Sequence, residues 1–256
     1  MDNQQPARQK DNHFSSADRH GLYKTIFNRR DVRGQFKNEP VSDAVLSRIL
    51  LAAHHAPSVG FMQPWDFIVV TDPEVKSAVR AGFLQARARE AELFQGERQE
   101  LYHRLKLEGI MDAPVNLCVT CDRDRTGSVV LGRTNDMAMD LYSSVCAVQN
   151  LWLAARAEGL GVGWVSIINP DVLRSALGIP RAIVPIAYLC LGYVTHFLEQ
   201  PELQTANWLS RLPLEHLIHG NQWGCKEDPS CSTLKDHIQQ VSEHALKGTF
   251  LDAIDV

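Results

Sequence analysis

Residues 29–33 read Arg29-Arg30-Asp31-Val32-Arg33, three guanidinium groups around one carboxylate at the end of an amphipathic stretch, Arg19 to Arg30, that reads as a helix. Planar guanidinium forks bind phosphate oxygens bidentately. If the helix continues through the cluster, Arg29 and Arg33 stand one turn apart and clasp one phosphate from the same side, and Asp31 points elsewhere, free for chemistry. A solvated helix end with exposed ion pairs is the other reading of the same five residues. What surrounds them decides between the two.

Outward from the cluster, helices and strands alternate. Asp43 to His55 reads as a helix with Ser42 as N-cap and Pro40 just before it. Phe67 to Thr71 is an apolar, β-branched strand ended by Asp72-Pro73, and Pro73 suits the first turn of a helix running to about Phe94. From Gln85 to Glu108 charge dominates, Phe83, Phe94, Leu101 and Leu105 leave only an interrupted apolar stripe, and Gly96 divides the stretch into two helices. Such a pair suits a surface, or a lid with little core of its own to anchor it. Val115 to Thr120 reads as a strand. Leu141 to Ala155 has no charged side chain and reads as a helix buried all round. Its apolar side, Met137, Leu141, Val145, Val148 and Trp152, could equally pack against a second subunit, and a dimer is expected. Val162 to Ile168, a helix capped by Asn169 with Pro170 in its first turn, and the strand Ile183 to Val194 complete the pattern. Strands separated by helices suggest a parallel α/β sheet.

The composition sets bounds. The chain has 256 residues, 45% hydrophobic and 22% charged, with a formal net charge of −4, and a pI near 6.2. That is globular composition, and its mild acidity argues against a nucleic-acid groove. Any phosphate must be held by local arginines. The opening residues Met1 to Ser16 are polar, and the longest apolar run, Ile183 to Val194, is too short to span a bilayer and contains Pro185, so a cytoplasmic protein without membrane association is expected. Of the cysteines at 118, 121, 146, 190, 225 and 231, the first four lie in apolar segments, as core thiols do. Cys118 and Cys121 match a CxxC pattern, but three residues apart on a strand they face opposite sides, and no metal site is expected. Cys225 and Cys231 sit with His219 and His237 in a polar tail, which holds a possible helix Thr233 to Lys247.

Three further segments join the arginine cluster. Ala56-Pro57-Ser58-Val59-Gly60-Phe61-Met62-Gln63-Pro64-Trp65 mixes turn residues, a hydroxyl, an amide and large apolar groups, so it can line a flat ring while offering a few directed hydrogen bonds. Gly161-Val162-Gly163-Trp164-Val165-Ser166 lets backbone approach a ligand at two glycines, then presents Ser166 on a strand, its direction fixed by the pleat; a serine bonded to neighbouring backbone is the alternative. Arg211-Leu212-Pro213-Leu214 places one cation in an apolar frame. Together these describe a phosphate at one end and an aromatic plane at the other.

The Arg29–Arg33 cluster, the 56–65 loop, Leu105-Lys-Leu-Glu-Gly-Ile110, the run from Asp140 to Arg156 and Gly163-Trp-Val-Ser166 resemble the 5,6-dimethylbenzimidazole synthase branch of the flavin-dependent nitroreductase superfamily, over roughly Phe14 to Trp223. The resemblance implies an α+β fold with a mixed, largely antiparallel central sheet flanked by helices, and a homodimer with flavin at the interface, which overrides the parallel-sheet reading. No internal repeat or long linker divides the chain, which reads as a disordered segment 1–15, one domain 16–223, FMN-binding by the resemblance, and a tail 224–256 of unassigned role. The resemblance assigns Arg29, Arg33 and Arg211 to the phosphate and ribityl region, and Arg30, Pro57, Ser58, Gln63, Gly163 and Trp164 to the rest of the flavin. Ordinary nitroreductases commonly carry a small residue such as serine between their arginines; Asp31, together with Ser166, resembles the signature pair of the synthases.

In that family reduced FMN is a substrate consumed with dioxygen, supplied by a separate flavin reductase. Its ring becomes 5,6-dimethylbenzimidazole, the lower ligand of cobalamin, and erythrose 4-phosphate is the other product. Such chemistry needs a water-excluding site with proton donors and acceptors near the ring. The resemblance implies Asp31 as general acid or base and Ser166 as holder of a proton at the ring. An NAD(P)H-dependent nitroreductase or flavin reductase that retains its FMN, and a non-catalytic carrier of reduced flavin, are the alternatives.

Overall fold

Ser42, Asp72 and Asn169 each set the start of a helix by accepting a backbone N–H with the side chain, as their residue types foretell. They open α2 (Asp43–His54), α3 (Pro73–Ala91) and α6 (Pro170–Leu177). The computed structural model describes residues 13–226 and 228–246, so the segment expected to be disordered lies largely outside the described residues. The chain falls into two compact units, one formed by Arg29–Leu209 and the other by the residues up to Asn28 together with those from Ser210 onward.

The second of these holds α1 (Ser16–Asn28) and α8 (Ser232–Leu246). Ser15 and Asp18 cap α1 reciprocally, each side chain taking the other's backbone N–H at 3.2 Å. The helix stops at Asn28, short of the arginine cluster. The tail helix expected from Thr233 is α8.

The larger unit is built on β1 (Trp65–Val70), β2 (Val115–Asp122), β3 (Leu160–Val165) and β4 (Ile183–Tyr193). Their order is β1-β2-β4-β3 and every neighbouring pair is antiparallel. The parallel sheet suggested by alternation is therefore corrected, for a simple reason. β2, the helix α5 (Met139–Ala157) and β3 do form a crossover between strands of like direction, but β4 inserts between them running the other way. Among the described residues the one parallel pairing is an isolated bridge of Asp31 to Val162 on the outer edge of β3, so the architecture is α+β.

Helices cover both faces. Leu117 and Val119 of β2 join a core with Ile49 and Ala53 of α2 and Val148, Leu151 and Trp152 of α5. Cys118, pointing the other way, joins Val79 and Phe83 of α3 and Leu173 of α6. Cys118 and Cys121 are both buried free thiols. Helix α5 is not buried all round: Val148 and Trp152 face the core, while Tyr142 and Val145 on the helix and Met137 just before it are exposed. The expected stripe is thus split between core and surface.

The charged pair of helices is α3 and α4 (Glu97–Arg104), with Gly96 at φ +56° between them. It is better anchored than its polarity suggests. Tyr102 is buried, Phe94 lies 5.0 Å from it and 5.2 Å from Trp208 between ring centres, and Arg98 stacks 4.1 Å from the Trp208 ring. Arg87 donates to the carbonyls of His103 and Leu105. No helix among the described residues is long and apolar enough to cross a membrane.

Candidate active site

Beyond Asn28 the chain turns extended and lies along β3. Val32 donates its N–H to the Val162 carbonyl at 3.0 Å, and Phe36 bridges Val194. The two glycines of β3 make this possible. A β-carbon at residue 163 would lie 2.0 Å from the Val32 carbonyl oxygen, and one at 161 would lie 2.8 Å from a Val32 methyl. The close approach at these glycines is made within the chain, by Val32 at Gly163 and by Val194 and Val32 at Gly161. Gly109 does the same from the other side, where a β-carbon would meet the Arg33 carbonyl at 2.7 Å.

This placement corrects the helical picture of the cluster. Arg29 and Arg33 share no helix face, and Asp31 does not point away from them. Its carboxylate accepts the Trp164 N–H at 3.0 Å and the Arg33 guanidinium at 2.5 Å. Arg33, itself buried, also reaches Glu202 at 3.5 Å. Arg29 lies over the Trp152 indole, 4.8 Å from its centre, and Trp152 packs on Trp164. Arg30 donates to the carbonyls of Arg29 and Glu199. Burial raises the Asp31 carboxyl above its ordinary value, against the opposing pull of Arg33 and the Trp164 amide. The site thus holds a proton-exchanging group, one guanidinium across from it and an aromatic floor.

Ser166 lies one residue past the end of β3 and is exposed, so the pleat does not fix its direction. It makes no hydrogen bond to Asp31 among the described residues. Asp31 pairs with Val162 and bonds Trp164, so Ser166 lies four residues along the chain from the position level with Asp31.

The loop from Pro57 is built separately. Ser58 precedes a 3-10 turn, Val59–Phe61, and its hydroxyl accepts the Gln63 N–H beyond that turn at 3.1 Å. Gly60, Phe61 and Gln63 have φ of +59°, +53° and +45°. A left-handed Phe and Gln in one short loop are strained, and such strain persists only where surroundings impose it. Two residues that sequence reading missed do so. Arg125 donates to the carbonyls of Gln63 and Trp65 at 3.0 and 2.9 Å, and the Ser143 hydroxyl on α5 accepts the Val59 N–H at 3.2 Å. Ser143 had a weak signal, a small polar residue on the inner face of an uncharged helix.

The two groups do not meet within one chain. Asp31 is level with Val162, Leu191 and Val115, beyond the last residue of β1, whereas Gln63 precedes the first. That separates them by four strand spacings, roughly 19 Å, and by about eight residues, roughly 26 Å of extended chain, along the strands. Arg211 belongs to the other compact unit.

Residues 26–193 match the Nitroreductase family model. The chain belongs to the nitroreductase family. Within it, this nitroreductase-family chain is 40% identical over 200 residues to 5,6-dimethylbenzimidazole synthase of Rhodospirillum rubrum, covering 78% of this chain and 94% of that one. It is 38% identical over 202 residues to the synthase of Rhodobacter capsulatus, covering 79% and 97%. The crystal structure of oxidized iodotyrosine deiodinase bound to FMN and 3-iodo-L-tyrosine shares the fold, with a TM-score of 0.61 at 22% identity over 79% of this chain and all of that one. The resemblance read from the motifs and the α+β fold it implied are thus both met.

Proposed function

We propose that this protein is a 5,6-dimethylbenzimidazole synthase, which takes reduced FMN and dioxygen as substrates and releases 5,6-dimethylbenzimidazole and erythrose 4-phosphate. The observation that carries this reading is the part-buried carboxyl of Asp31, held between the Arg33 guanidinium and the Trp164 amide. An enzyme that returns its flavin intact has no evident use for an acid there, whereas bond cleavage in the ribityl chain needs proton transfers at that end. The relatives named as synthases, at 40% and 38% identity, support it.

The residues fit the substrate. Arg33 and Arg29 hold the phosphate end, with Glu202 able to yield Arg33 to a stronger anion. Arg30 and Arg211 add positive charge, Trp164 offers an apolar wall, and Pro57, Ser58 and Gln63 meet the ring. Asp31 exchanges a proton with the ribityl side, and Ser166 holds one at the ring. A lid built from Gln85 to Glu108 excludes water.

Because Asp31 and Gln63 stand at opposite corners of one sheet, a single flavin takes them from two subunits of a homodimer. Phe61 and Leu131, 82% and 86% exposed, with Tyr142 and Val145, supply an apolar face for that association. Every turnover destroys its flavin, so a separate reductase supplies reduced FMN, and the free core thiols suit a reducing cytoplasm.

The test is anaerobic mixing with reduced FMN followed by air. The expected outcome is loss of flavin absorbance and appearance of dimethylbenzimidazole by chromatography; quantitative return of oxidised FMN defeats the proposal in favour of a reductase or carrier.

A further inference from the structure

The segment between β2 and α5 is fastened by ions at a depth where ions are costly. Asp140, in the first turn of α5, is 0% exposed and Arg133 is 4% exposed. Arg133 donates to the Asp140 carboxylate at 2.9 Å, to the Arg123 carbonyl at 2.5 Å and to the Gly127 carbonyl at 2.9 Å. Arg123 reaches the same Asp140 oxygen at 3.0 Å and also bonds the Met137 carbonyl. Two guanidiniums thus converge on one carboxylate and tie together carbonyls at 123, 127 and 137. A buried network of this kind is weak as a source of stability and strong as a means of fixing one arrangement.

What it fixes is the turn that braces the strained 57–63 loop. A β-carbon on Gly60 would lie 2.7 Å from a Val130 methyl and 2.8 Å from the Leu131 carbonyl oxygen, and one on Gly132 would lie 2.8 Å from a Val59 methyl. The two loops are therefore in backbone-to-side-chain contact on both strokes. One turn of α5 beyond Asp140, Ser143 holds the Val59 N–H. Val59 and Gly60, which lead directly into the left-handed Phe61 and Gln63, are thus held between elements that the Asp140–Arg133 pair orients.

We propose that Arg133 and Asp140 are positioning residues for the flavin ring. They touch no part of the substrate, and act by holding Val130 to Gly132 and the start of α5 so that Ser58 and Gln63 keep their ring-facing geometry. This rests on the flavin reading above. Because the braced loop serves the ring rather than the phosphate, loosening it weakens FMN and riboflavin alike.

Arg133→Lys keeps the charge but loses the fork that reaches three acceptors. Titration of the variant with FMN and with riboflavin, followed by flavin fluorescence, should show both binding roughly tenfold more weakly, with their affinity ratio unchanged. Reduced FMN on this variant should return more intact FMN and hydrogen peroxide in air. Wild-type affinity for both flavins together with wild-type product yield overturns the proposal and leaves the pair a purely structural one. Ser143→Ala, which removes only the acceptor for Val59 N–H, carries the same test if Arg133→Lys fails to fold: weaker flavin binding at an unchanged melting temperature is expected, and unchanged binding overturns it. Failure of the wild-type protein to bind either flavin would instead remove the flavin reading itself.

Discussion

The carbonyl oxygen of Val32 occupies the space where a side chain on Gly163 would stand, 2.0 Å from the position of its β-carbon. Through this contact the strand segment carrying Asp31 is laid against β3, and the Trp164 amide comes to meet the Asp31 carboxylate. A backbone contact this close leaves no room for adjustment by a rotamer.

Gly163→Ala should therefore destabilise the protein by about 1–3 kcal/mol and move Asp31 off its partners. A lowered urea midpoint with greatly reduced product formation is expected. Wild-type stability would mean that the Val32 segment shifts freely.

Asp31→Asn should abolish dimethylbenzimidazole while leaving FMN binding largely intact, because the amide keeps the shape and loses the proton. It should also reveal the linkage. Since burial raises the folded-state carboxyl above its unfolded value, its contribution to stability is full below the unfolded value and lost as pH rises through the raised one. The variant should thus gain stability relative to wild type as pH goes from about 3 to neutrality, measured by thermal melts across that range. A difference that shrinks with rising pH would show that the Arg33 pairing outweighs burial.

Arg33→Ala and Arg211→Ala should each weaken FMN by roughly ten- to a hundredfold, the worth of one charge-assisted hydrogen bond, and riboflavin far less. Calorimetric titration with the two ligands separates the cases. Equal losses for both would assign these arginines to the fold.

Subunit complementation tests the two-chain site. Mixed dimers of an Asp31→Asn chain and a Gln63→Ala chain contain one site with both defects and one with neither, and should recover close to half of wild-type activity per dimer. Were each site built within one chain, the mixed dimers would be as inactive as their parents.

Thiol reactivity should follow burial. Cys118 is pushed up to about 12 by its apolar surroundings, and burial raises Cys190 and Cys121 as well. Near neutral pH an alkylating reagent should modify exposed Cys225 first, with Cys118, Cys121 and Cys190 reacting only on unfolding, as read by peptide mass spectrometry. Prompt labelling of Cys118 in the native protein would show that the sheet opens locally.

Much of the fold was written locally. Ser42, Asp72-Pro73 and Asn169-Pro170 marked helix starts because a cap acts within three residues of itself. Cys118 and Cys121 were placed on opposite faces because strand alternation is a property of the backbone. The split of α5 was not legible, because Val145 and Val148 are alike as residues and differ only in what lies opposite them. Nor was the anchoring of α4, since Trp208 is over a hundred residues away from Tyr102 in the chain.

By itself the sequence determined the element types, the α+β content implied by its family motifs, and the candidate residues for the proposed chemistry: a carboxyl among arginines, a loop suited to a flat ring and a serine after two glycines. Only the tertiary structure decided that β4 enters between β2 and β3, that the glycines of β3 serve Val32, that Asp31 is clasped by Arg33 and Trp164, and that Ser58 and Gln63 stand at the far corner of the sheet from Asp31. The reason is physical. Caps, turns and alternation are settled by neighbours along the chain, whereas strand order and the placing of the Asp31 carboxyl depend on contacts between segments far apart in the chain, and those exist only once the sheet has closed.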